Sequence, residues 1–354
     1  MTRIKSLRTP TLVILFLLFL QLPGYCATKP PASKYGYMDS AGRVVIKPQF
    51  AYASEFHEGF ASVFVDQPKS LGGRGWLFID TAGTDVFKQR FEMTSDFADG
   101  LAAVKIHGKW GYIDRKGALV IAPQFDKARE FSEGLATVVK KKKYGYIDKT
   151  GKMIIEPRLD GAWGFSEGLA AVEVDKQVGF IDKTGDMIIK PPIDSLFFFS
   201  DGLLAVRVSG KWGYMDKSGQ MVIEPKFMYA MDFNNGLAVV AVNRQSPFNY
   251  GFIDKSGKFA IERRFDDLDI LGFSEGLVAV EVSGKWGYID SSGKMVISPQ
   301  FESASGFSEG LARVKMDGQY GFIDKSGTIT IKAPFRSAPG RFGDGRASVR
   351  EDGV

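Results

Sequence analysis

A five-residue pattern, aromatic–Gly–aromatic–(Ile or Met)–Asp, returns nine times along this chain, and its spacing constrains the fold more than any other feature. The copies begin at Tyr35, Trp76, Trp110, Tyr144, Val178, Trp212, Tyr250, Trp286 and Tyr320. From one closing Asp to the next the steps are 41, 34, 34, 34, 34, 38, 36 and 34 residues, so the period is 34 and the longer steps place extra residues in loops. A second signature shares the period. Phe-Ser-Glu-Gly or a close variant precedes a short apolar run, with its glycines at 59, 100, 134, 168, 202, 236, 276, 310 and 345. A third is a proline after the motif, at 48, 123, 157, 191, 225, 299 and, shifted by one, 334.

Residues 134–167 show what one unit does. Gly134–Val139 is apolar and reads as a strand, Lys140–Lys143 as a basic turn, and Tyr144–Asp148 as a second strand rich in aromatic and β-branched residues. Asp148-Lys149-Thr150-Gly151 reads as a hairpin turn, because Asp bonds nearby backbone and Gly accepts a left-handed conformation. Met153–Ile155 reads as a third strand, expected to end at Pro157, which cannot donate to a ladder. The segment from Arg158 to Glu167 returns the chain, with room for a fourth strand at an edge. No part of residues 35–354 has a sustained helical period.

A meander this small cannot bury its aromatic face alone, so units must pack on one another. The chain therefore reads as all-β: nine tandem meander repeats forming a propeller-like ring, with an open superhelical β-solenoid as the alternative. The phase of the repeat favours the ring. The first copy starts at the second strand of a unit (Tyr35), and the last unit stops after its first strand (Ala347–Arg350). If the ends meet, the last strand completes the first unit.

The start of the chain has a different character. Arg3, Lys5 and Arg8 precede an apolar run at 11–20 and the breaker Pro23-Gly24. Residues 1–26 read as a signal peptide and 27–34 as a short linker before the repeat domain at 35–354. The run is shorter than the roughly 20 residues that span a bilayer, so no transmembrane span is expected in the mature chain. The expected location is periplasmic or extracellular, with a lipid anchor on Cys26 as the alternative. Cys26 is the chain's one cysteine, so cleavage after it leaves neither a disulfide nor a thiolate metal site. Losing the three basic residues takes the net charge from +5 to about +2, too little to argue for nucleic acid.

The nine motifs, with "F-S-E-G-L-A" and "V-I-x-P-x-F" between them, resemble the WG-repeat family of bacterial proteins across about residues 35–350. Leu77 in the Gly position and Val178 in the first aromatic position depart from the pattern. The resemblance implies a β-repeat domain, common in secreted and envelope proteins. It implies no reaction and brings no catalytic residues.

Repetition also sorts the chemistry. A catalytic residue occurs once per site, whereas a framework residue occurs once per unit, so the motif's aromatics, Gly and Asp read as framework. The nine Asp do not read as calcium ligands, since each turn offers a single Asp that is often followed by a cation. The two histidines, His57 and His107, read as exposed turn residues without further ligands. No phosphate loop, triad or metal motif is present, and no cofactor is expected. The residues that break the repeat carry more information: the insertion at 67–74, the basic turn Lys140, Lys141, Lys142 and Lys143, Trp163, and Phe197 and Phe198 beside the consensus Phe199. These are the candidate partner-binding residues. The reading is an exported, non-enzymatic scaffold that binds a protein or an envelope polymer. One rival is a carbohydrate-binding module that uses the periodic aromatics, which requires them to be exposed. Another is an enzyme with a site in the central channel, which requires non-consensus polar residues to converge there.

Overall fold

In a computed structural model, the described residues are 34–66, 73–190, 195–242, 250–269 and 271–351. The proposed signal peptide and most of the 67–74 insertion lie outside them. The chain is an all-β propeller of nine blades in a ring. Seven blades have four strands. The third is representative: Lys127–Ser132, Leu135–Lys140, Lys143–Asp148 and Met153–Leu159, all antiparallel neighbours. The fourth and fifth have the same order, and in most other blades the first strand shrinks to two residues, as at Met93–Thr94.

The first strand of each blade is the inner one. Ser132 of the third blade donates from Oγ to the Phe165 carbonyl of the fourth at 2.7 Å, and Ser166 does the same to Phe199 of the fifth at 2.8 Å. The last strand is the outer one and alternates buried and exposed residues. The segment expected as an edge strand is thus the inner strand of the next blade.

The ring closes as its phase predicted. Arg346–Arg350 pairs with Tyr35–Asp39 in register, Tyr37 opposite Ser348, and Val44–Phe50 completes this ninth blade. The chain's last blade is therefore shared between its two ends.

Each consensus residue has a physical task. The Gly of the motif makes room for a bulge. Trp110 pairs with Phe125 and Tyr112 with Ile121, so Gly111 faces the extra residues around Pro123. A Cβ on Gly111 would stand 2.4 Å from the Ile121 carbonyl oxygen and 2.8 Å from the Pro123 nitrogen. Pro157 likewise sits within the strand Met153–Leu159, not at its end. This corrects the expected stop: Pro is tolerated inside a strand at a bulge, where no ladder donor is needed. The first blade explains Leu77. There the chain makes only isolated bridges, Ile79–Asp85 and Trp76–Phe91, and Leu77 packs beside Ile46 and Val63.

The second aromatic joins blades. Tyr112, Tyr146, Tyr214 and Tyr288 are fully buried, and each ring meets the inner Phe of the next blade at centroid distances of 4.7–5.0 Å. Each hydroxyl donates to a carbonyl of that neighbour, as Tyr146 does to Trp163 at 2.7 Å. Tyr37 repeats this across the closure, donating to the Ser54 carbonyl at 2.7 Å and packing on Phe56 at 4.8 Å. The rival that needed periodic aromatics in solvent loses its premise for this position.

The Glu of Phe-Ser-Glu-Gly ties the blades again. Glu and Gly form a tight hairpin turn with both residues left-handed (Glu133 at φ 53°, Gly134 at φ 86°). The acid side chain then accepts the next blade's Gly N–H. The donors are Gly100, Gly134, Gly168, Gly202, Gly236, Gly310 and Gly345, and Asp344 closes the circle on Gly59 at 2.7 Å. The remaining junction, between the sixth and seventh blades, has Asn235 in the acid's place. At most other junctions a turn cation braces the acid, as Lys183 does Glu133 at 3.1 Å and Lys217 does Glu167 at 3.0 Å. At the Asn235 junction the corresponding residue is Ser291, so acid and cation are lost together. Apolar packing continues across this junction instead: one cluster runs from Phe233 and Val240 through Phe265 and Phe273 to Val280.

The motif Asp organises the hairpin. Asp290 accepts from the backbone N–H of Ser292 at 2.9 Å and of Lys294 at 3.1 Å, and from the Ser292 hydroxyl at 2.6 Å. These bonds, the hydroxyl's foremost, hold its carboxyl below the ordinary carboxylate range.

Candidate functional site

The framework consumes its repeated residues, so a site must come from those that differ. The inner strands supply them. Just before the buried inner Phe, successive blades place Glu55, Asp96, Glu130, Gly164, Phe198 and Asp232. Those of the second and third blades, Asp96 and Glu130, interact. Asp96 accepts from the Ser62 hydroxyl at 3.3 Å, and His57 Nε2 stands 4.0 Å from its other oxygen. Burial pushes the Asp96 carboxyl up against these partners. Glu130 is raised too, first by burial and then by the charge of Asp96. Across the ring, Asp232 has a buried oxygen with no hydrogen-bond partner, and burial pushes its carboxyl up to about 7. Among the described residues, no group of three or more His, Cys, Asp or Glu is placed to hold a metal ion.

These acids should give the ring a measurable pH dependence. A raised carboxyl holds its proton more tightly folded than unfolded, so its contribution is complete below about pH 4 and is lost as pH rises through about 7 for Asp232. The turn Asp residues act oppositely, since their lowered carboxyls stabilise above about pH 4 and stop doing so in stronger acid. The thermal midpoint should therefore fall from pH 5 to pH 8.5. Asp232→Asn should remove most of that slope and raise the midpoint by a few degrees at pH 8.5, as calorimetry across this range would show.

Apart from these acids, a groove of about 390 Å³ runs between the second and third blades. Met93, Lys105 and Trp110 of the second blade face Lys127, Arg129 and Tyr144 of the third. Lys127 and Arg129 are exposed, while Trp110 and Tyr144 are half-buried. Among the described residues, Lys127 makes no ion pair, and Lys105 reaches Glu92 only at 4.0 Å. Asp126 also lines the groove, but its carboxylate is committed to Lys109 at 2.5 Å and to the backbone N–H of Lys141 at 2.8 Å.

That last bond fixes where the basic turn lies. Lys141 and Lys142 are the left-handed central pair of a tight hairpin (φ 53° and 65°), held to the groove through Asp126. Lys140, Lys141, Lys142 and Lys143 are all exposed, and among the described residues only Lys143 of the four makes an ion pair, with Asp160 at 2.5 Å. The turn therefore continues the groove's positive lining.

The other expected residues lie elsewhere. Trp163 is half-buried on the fourth blade's inner strand, packed against the core it shares with Phe180 and Phe199. Phe199 is core, its ring 5.2 Å from that of Phe180. Phe198 is 42% exposed, and the Phe197 side chain lies outside what is described. His107 occupies an exposed left-handed turn position. Sequence reading missed Lys105, Trp110, Lys127, Arg129 and the channel acids. The signal for two of them was present: at the positions of Lys127 and Arg129 no other unit carries a cation.

The family model "WG containing repeat" matches the chain nine times, at residues 35–67, 78–110, 110–144, 144–177, 179–212, 212–244, 250–286, 286–320 and 320–354. No curated protein sequence matches. A solved structure described as that of the eukaryotic initiation factor aligns at 11% identity and TM-score 0.59, covering 89% of this chain and 98% of its own. The dihydro-heme d1 dehydrogenase NirN aligns at 12% identity and TM-score 0.42, over 76% and 73% of the two chains. PorZ, a surface component of the type-IX secretion system of Porphyromonas gingivalis, aligns at 11% identity and TM-score 0.32, over 80% and 46%. The first of these likenesses is one of fold.

Proposed function

The chain belongs to the WG-containing-repeat family, and from that premise we propose that it is an exported, non-catalytic scaffold whose partner docks at the junction of the second and third blades. One observation carries this reading. Nearly every repeated side chain is spent inside or between blades, while non-repeated cations gather at one groove beside two half-covered aromatics of the motif, Trp110 and Tyr144. Concave sites with a few convergent polar groups are where ligands bind, and 390 Å³ lies within their usual range of about 300–1,000 Å³. The basic, apolar start of the chain supports export. The test is capture from envelope extract by the whole chain and by Lys127→Ser/Arg129→Ser. A species held by the first and released by the second supports the platform. Equal capture by both removes this groove from it.

Asp96 and Glu130 favour a second reading. Two partly buried carboxyls with raised proton affinity, on neighbouring blades beside a histidine, resemble a general acid–base pair. Turnover of an envelope polymer that disappears in Glu130→Gln would replace the non-catalytic reading with this one.

A further inference from the structure

Resting on the platform reading above, we infer that the groove's ligand is an acidic polysaccharide, bound by its sugar faces and its carboxylates together. The lining pairs two chemistries. Trp110 and Tyr144 stand one on each blade and offer aromatic surface against which the apolar face of a pyranose ring packs. Lys105, Lys127 and Arg129 supply positive charge between them. Arg129 has a planar fork that matches a carboxylate with two parallel hydrogen bonds. A neutral glycan would leave these cations without an anion, and a simple inorganic anion would leave the aromatics unused.

The turn beyond the groove argues for a polymer. Asp126 lines the groove and also holds the Lys141 backbone, so the exposed Lys140, Lys141 and Lys142 stand at its mouth. A chain with a negative charge on successive sugars would fill the groove with one residue and reach this turn with the next. The rest of the ring does not extend such a track. In the regular units the turns corresponding to Lys140–Lys143 carry at most one cation, as at Lys109, Lys176, Lys211 and Lys285. Nucleic acid, which needs a longer basic face, fits less well.

Affinity electrophoresis of the whole chain in gels containing polygalacturonate tests the inference, with dextran, single-stranded poly-dT and phosphatidylglycerol vesicles as parallel probes. Polygalacturonate should retard the protein, and dextran should not. Lys127→Ser/Arg129→Ser should weaken retardation at least tenfold, and Lys140→Ser/Lys141→Ser/Lys142→Ser by a smaller factor. Trp110→Phe should keep the charge and the fold yet weaken it severalfold. The lysines and Arg129 among these lie outside the buried core and Trp110 only packs on its edge, so unchanged melting curves certify each variant. No retardation by polygalacturonate, equal retardation by dextran, or tighter binding to poly-dT or vesicles would overturn the acidic-glycan assignment. If polygalacturonate fails while the double variant still loses its envelope partner, the platform stands and only the ligand class falls. If the variant loses neither, both fall.

Discussion

Ending the chain at Gly345 is expected to abolish cooperative folding of the ring, leaving a protein that aggregates or melts without a sharp transition. The lost strand, Arg346–Arg350, is the one that pairs with Tyr35–Asp39. It also supplies Ala347 (0% exposed) and Val349 (1% exposed) to a core with Phe322, Ile331 and Phe342. Without it the ninth blade keeps only Tyr35–Asp39 and Val44–Phe50 and presents a bare strand edge. The milder substitution Val349→Asp keeps the strand but places an unpaired carboxylate in that core. It should cost about 4 kcal/mol. Urea titration followed by tryptophan fluorescence measures both. A truncated chain that melts like the parent would show that the strand seals nothing.

Gly287→Ala should be nearly as damaging, although it adds one methyl group. The Cβ would lie 2.4 Å from the Ile297 carbonyl oxygen and 2.8 Å from the Pro299 nitrogen, both backbone atoms of the outer strand. The strand would have to move away, breaking the pairing of Trp286 with Phe301 and of Tyr288 with Ile297. A cost of about 3 kcal/mol is expected. Gly284→Ala is the control. It sits at φ 76° with nothing within 4 Å of the added methyl, so only backbone strain of about 1 kcal/mol opposes it. Comparable losses from the two would mean that the motif glycine serves flexibility and not close approach.

Much of this architecture was legible before any coordinate. The nine copies, the turn at each Asp-x-x-Gly and the offset phase of the ends were enough to expect blades and to favour a ring. Other features were hidden because they join residues of different blades. Nothing local to Phe-Ser-Glu-Gly says that Ser132 reaches the carbonyl of Phe165, or that Glu133 accepts from Gly168. Only the recurrence of those residue types at the period hinted at it. Pro157 misled because its place opposite Gly145 is a property of two strands, not of one. The groove was least legible. Lys127 and Arg129 lie in an otherwise variable stretch, and their meeting with Lys105 and Trp110 exists only once the second and third blades are side by side. Lys140–Lys143 could be picked out because four like charges in a row need no partner to be noticed.

The closed ring itself is tested most directly by a covalent bond across its seam. Tyr35 and Arg350 are register partners near the two ends of the repeat domain, and neighbours of that kind lie within disulfide reach. With Cys26 replaced by Ser, Tyr35→Cys/Arg350→Cys should oxidise to a monomeric intramolecular disulfide. A single proteolytic cut elsewhere in the chain should then leave one species that separates into two on reduction. An open stack holds these residues at opposite ends, so free thiols or disulfide-linked dimers in place of that bond would contradict the ring.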